Sequence, residues 1–63
     1  MKRYKVLAPG VRYIFNARNE FEAWDATGFP KPCRIFVKEG GEWRLVAAVL
    51  EVAEYTIDFR EVM

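Results

Sequence analysis

The sequence predicts a small α+β domain, an antiparallel sheet of four to five strands carrying one short helix at about residues 20–27. Three observations predict it. Two runs with period-two alternation flank Pro9-Gly10, a second hairpin is turned by Gly40-Gly41, and helix punctuation extends from Asn19 to Gly28. If residues 20–26 are a strand instead, an all-β SH3-like barrel is the alternative.

At 63 residues, the chain is expected to form a single domain over 1–63. Chains below roughly 70–80 residues usually need a disulfide, a metal or a second subunit as a staple. Cys33 has no cysteine to pair with, and with no His there is no familiar zinc set, so neither disulfide, metal nor cofactor is expected. The apolar share of 52%, with two Trp, three Tyr and five Phe, supplies a dense core instead. No apolar run reaches the ~18 residues that span a membrane, and no signal-peptide core follows Lys2, Arg3 and Lys5. A cytoplasmic chain with a reduced thiol and no membrane partner is the expectation.

Residues 2–8 and 11–17 alternate about Pro9-Gly10, where Pro presets φ and Gly accepts the positive φ of a type II turn. A two-residue hairpin sets Ala8 against Val11, Val6 against Tyr13 and Tyr4 against Phe15, leaving Arg3, Lys5, Leu7, Arg12, Ile14 and Asn16 on the other face. Asn19 is a good N-cap, Glu20 and Glu22 suit the positive helix end, and Gly28 stands as the C′ residue, with Phe21 and Trp24 facing the core. Pro30 and Pro32 make the following segment a rigid loop.

Gly40-Gly41 supplies both positive φ values of a type I′ turn between residues 33–39 and the segment from Glu42. In that hairpin Lys38 faces Trp43, Phe36 faces Leu45 and Arg34 faces Ala47. On the opposite side Val37 meets Arg44, Ile35 meets Val46 and Cys33 meets Ala48. Both faces are apolar enough to predict a central hairpin covered on both sides. Residues 42–54 also fit an amphipathic helix, with Arg44, Glu51, Glu54 and Asp58 as its polar stripe. The strand is preferred because hairpin chemistry is local. Residues 55–60 alternate as the last strand, with Tyr55, Ile57 and Phe59 inward, and no turn residue marks the reversal between 50 and 55.

Candidate chemistry is sparse. Without His there is no Ser-His or Cys-His nucleophile pair. The acid pairs Glu20/Glu22, Glu51/Glu54 and Asp58/Glu61 read as solvated surface, since so small a sheet has little room for a cleft of about 300 Å³. Cys33 reads as a small core residue, and Gly40-Gly41, between two Glu, would repel a phosphate. No catalytic residue and no enzyme activity is expected.

The outer face of the first hairpin remains as a candidate binding site. Arg3, Lys5 and Arg12, extended by Lys2 and Arg18, ring the aliphatic Leu7 and Ile14. With the aromatic residues assigned inward, this patch suits a protein partner, in the manner of an adaptor or of the small inhibitors that mobile elements encode. The alternative is nucleic-acid binding through the same basic face, and a homodimer through a sheet edge is a further expectation.

Charge is sorted along the chain. Residues 1–38 hold eight Lys/Arg and three acids, whereas residues 39–63 hold two Lys/Arg and six acids. If the last strand lies beside residues 2–8, the two sets pair across one ladder. If it lies at the far edge, a dipolar surface is left for a partner.

Overall fold

A computed structural model describes residues 1–27, 32–53 and 56–62. The elements run β1 (Lys2–Ala8), β2 (Val11–Ala17), α1 (Glu20–Asp25), β3 (Cys33–Glu39), β4 (Glu42–Ala53) and β5 (Thr56–Glu61). All strands join one antiparallel sheet in the order β2-β1-β3-β4-β5. The sheet is open, with β2 and β5 as its edges, and residues 20–25 are helical. The α+β expectation therefore holds and the closed SH3-like barrel does not. Residues 42–53 are strand, not helix.

Both tight turns follow from their glycines. Gly10 has φ of 73°, and Gly40 and Gly41 have φ of 58° and 81°, values that L side chains rarely adopt. The first hairpin keeps the expected register from Ala8↔Val11 to Lys2↔Ala17. The second matches expectation from Glu39↔Glu42 to Phe36↔Leu45 and then slips by one residue. Ile35 pairs with Ala47, Arg34 with Ala48 and Cys33 with Val49, each one position beyond its expected partner. Val46 is the extra residue of a β-bulge, and its carbonyl accepts a hydrogen bond from the Val62 N–H at 2.6 Å. A second irregularity leaves Leu50 unopposed between Val49↔Phe59 and Glu51↔Asp58. The expected reversal at 50–55 falls partly on residues 54 and 55, and the inward assignment of Tyr55 and the C′ role of Gly28 also lie outside the described residues.

Helix α1 begins as its sequence predicts. Asn19 is extended, and its Oδ1 accepts a hydrogen bond from the Glu22 N–H at 2.7 Å. The Glu22 carboxylate accepts in turn from the Arg18 backbone N–H and guanidinium. The helix is shorter than the expected 20–27, because the Thr27 hydroxyl and N–H both donate to the Trp24 carbonyl and close its last turn.

The helix crosses one face of the sheet over β1, β2 and β3. Ala23, at 0% exposure, touches the sheet on a core of Tyr4, Val6, Ala17, Ile35, Val37, Ala47 and Val49. Trp24, Phe21 and Phe59 form a three-ring cluster with centroids 5.4–6.0 Å apart, which carries the helix contact out to β5. Phe21 remains 56% exposed and Ile57 50% exposed, so neither is the core residue its spacing predicts. The helix is only six residues long, and its sheet contacts fall on β1, β2 and β3, away from Ile57 on β5. Trp24 Nε1 is buried with no hydrogen-bond acceptor among the described residues.

The sequence also predicts that the second hairpin is covered on both faces. Its position is central, with β3 the middle strand, but among the described residues only the α1 face is covered. One short helix supplies a layer for one face of the sheet.

Candidate functional site

The uncovered face is assembled by ladder register, since residues paired across an antiparallel ladder share a face. Leu7 pairs with Arg12 and with Arg34, Arg34 pairs with Ala48, and Ala48 pairs with Arg60. These five residues form one row across all five strands. The next row holds Ile14, Lys5, Phe36 and Leu45. Beyond it Arg3 stands opposite Asn16, and Lys38 opposite Trp43.

Six cations thus share this face: Arg3, Lys5, Arg12, Arg34, Lys38 and Arg60. Asp58 lies at its β5 corner, in register with Glu51, and accepts a hydrogen bond from Arg60 Nε at 3.2 Å. Among the described residues, no ion pair engages the other five cations. The remaining described acids belong to the other side. Glu20, Glu22 and Asp25 lie on α1, and Glu39, Glu42 and Glu61 alternate toward the helix face. There Arg44 bonds Glu39 at 2.6 Å, and that hydrogen bond, with the charges of Arg44 and Lys2, holds the Glu39 carboxyl below its ordinary value.

The centre of the open face is aromatic. Lys5 Nζ lies 5.0 Å from the Phe36 ring centroid and 4.7 Å from that of Trp43, and Lys38 Nζ lies 5.6 Å from Trp43. Lys5, Phe36 and Trp43 are half-buried, and a cation–π contact at the surface is worth about 0.5–1 kcal/mol, enough to place the ammonium without locking it. At one end of the face a concavity of about 650 Å³ is lined by Leu7, Arg34, Leu45, Ala48, Leu50 and Val62 among others. It exceeds the volume expected of so small a sheet, and Pro9, Pro32 and Val62, which lie outside the strands, are among its walls.

Comparison with protein-family models, with curated proteins and with solved structures finds no match to this chain.

Of the residues expected to form the site, Arg3, Lys5, Leu7, Arg12 and Ile14 are brought together as predicted. Arg18 is not with them. It follows β2 and turns toward α1, where its Nε donates to Glu22 Oε2 at 3.0 Å. Sequence reasoning missed Arg34, Phe36, Lys38 and Trp43, which the Lys5↔Phe36 and Leu7↔Arg34 pairs bring onto the same face. A signal was present. Arg34, Phe36 and Lys38 alternate along β3, and two cations flanking an aromatic residue mark a solvated face.

Cys33 lines the concavity but is 8% exposed, and burial pushes its thiol up, against a smaller opposing effect from a hydrogen bond with the Val49 backbone. It is protonated at neutral pH and so is a poor nucleophile. Among the described residues no group of three or more acid or Cys side chains is placed to hold a metal ion, and no helix is long and apolar enough to cross a membrane.

Proposed function

We propose that this protein is a non-enzymatic binding module that takes single-stranded nucleic acid on its open sheet face. The observation that carries the reading is the position of Phe36 and Trp43 among six cations. Sheets that bind single strands combine an electrostatic track for phosphates with aromatic rings on which bases stack, each stacked base adding about 1–3 kcal/mol. The sequence favoured a protein partner because the aromatic residues were assigned inward, and for these two that reason no longer applies. Of the acids that lower the net charge to +1, Glu20, Glu22, Asp25, Glu39, Glu42 and Glu61 lie behind the sheet and do not face the ligand.

The test is fluorescence anisotropy of a labelled oligothymidine titrated with the protein over a range of NaCl concentrations. Neutralising four phosphates predicts a loss of affinity of roughly 50-fold between 50 and 200 mM salt. Arg34→Glu and Trp43→Ala should each weaken binding, and only the first should reduce the salt slope. Absence of binding at 20 mM NaCl would sink this reading.

A second reading, a protein partner, draws on the concavity. Leu7, Leu45, Leu50 and Val62 form an aliphatic end with no stacking surface, suited to an apolar side chain from an acidic protein. Binding of that kind should survive Trp43→Ala and fail on Leu45→Asp. Self-association through the free edge of β2 or β5 is compatible with either ligand, since edge pairing leaves the open face available.

A further inference from the structure

Lys5 occupies the place where a base would stack. Its ammonium sits over the Phe36 and Trp43 rings at 5.0 and 4.7 Å from their centroids. A stacked base lies about 3.5–4 Å above a ring, so base and ammonium cannot share one ring face. Register makes the arrangement intrinsic to the sheet. Lys5 pairs directly with Phe36, and Trp43 stands on the neighbouring strand opposite Lys38. Lys5 makes no ion pair among the described residues, so no carboxylate anchors it there.

We propose that Lys5 is a displaceable cover on the Phe36–Trp43 stacking platform, leaving the rings when a base arrives and pairing with a phosphate of the same strand. This rests on the nucleic-acid reading above and adds a positioning role for one residue. The exchange has two opposing parts. Leaving the rings forfeits a cation–π contact, a loss that falls on binding. Gaining a phosphate releases counterions, a benefit that shrinks as salt rises.

Removing the ammonium therefore gives a result that a simple phosphate contact would not. At 20 mM NaCl, Lys5→Ala should bind oligothymidine more weakly than the wild type, with a salt slope lower by about 0.7. At 300 mM NaCl, where the phosphate contact contributes little, Lys5→Ala should bind more tightly by roughly two- to five-fold, the equivalent of the cation–π contact no longer lost. The two salt curves cross.

Lys5→Gln, which keeps a polar chain one atom shorter and removes the charge, should cross as well, and thermal unfolding of both variants verifies that the sheet is intact. Wild-type binding with parallel curves, or with the variants weaker at every salt concentration, would overturn the role of Lys5 alone. No wild-type binding at 20 mM NaCl would overturn the nucleic-acid reading and this role with it.

Discussion

Tyr4 and Cys33 are ionisable groups held in the core, at 3% and 8% exposure. Burial raises both pKa values above the ordinary range, with Glu20 and Glu39 adding to the rise at Tyr4. Each group keeps its proton in the folded chain at a pH where the unfolded chain has released it. Their contribution is thus fully present below the ordinary thiol and phenol values, about 8.5 and 10, and is lost as pH rises through them toward the raised folded values. Stability measured by urea unfolding should fall from about pH 8.5 upward. Cys33→Ala should flatten the decline between about pH 8.5 and 10 and leave the later one due to Tyr4. A thiol reagent at pH 8 should label the native protein slowly, at a rate that rises with urea as the core opens. Rapid labelling without denaturant would show that Cys33 is not the protonated core residue described here.

At the scale of the element, α1 is the least self-sufficient part of the fold. Six residues are well below the roughly 12–15 needed for an isolated helix to be even marginal in water, so its cap and its ring contacts hold it. Asn19→Ala removes the acceptor of the Glu22 N–H and should destabilise the protein by about 1 kcal/mol, read as a shift of the urea midpoint at constant m-value. Asn19→Asp retains the acceptor and should restore most of the loss. This cap was legible in the sequence because capping is decided within four residues, and both hairpin turns were legible for the same reason. The bulge at Val46 was not. The residues that demand it are the β5 chain, whose Val62 N–H takes the Val46 carbonyl, and the core side of β3, and both are remote from the hairpin turn. The termination of α1 at Thr27 was similarly hidden, since Thr27 closes the turn one residue before the glycine that sequence rules favour.

In the whole molecule the charge polarity of the sequence becomes a polarity of faces. β5 lies at the far edge from β2, separated from β1 by β3 and β4, so the early cations and late acids do not pair across one ladder. Half of the candidate site was legible because β1 and β2 are joined by a tight turn. The other half depends on β1 pairing with β3, a contact between strands separated by residues 9–32 that no local pattern specifies. The result is a face on which Arg3, Lys5, Arg12, Arg34 and Lys38 have no ion-pair partner among the described residues. Two like charges 10 Å apart in water repel by about 0.4 kcal/mol before screening, and register sets Lys5 within one strand and two residues of each of the other four cations. Against this stand the ion pairs Arg18–Glu22, Glu39–Arg44 and Arg60–Asp58, all solvent-exposed and individually weak. These ion pairs are few and exposed, whereas the cations crowd one face, so screening should favour the folded state. Raising NaCl from 20 to 200 mM, which shortens the Debye length from roughly 20 Å to 7 Å, should raise Tm by about 2–4 °C. Arg12→Gln and Lys38→Gln together should remove most of that rise. If the two halves of the chain paired with each other instead, the same salt would screen attraction and lower Tm, so the sign of the shift distinguishes a face sorted for a partner from a charge split spent on the fold.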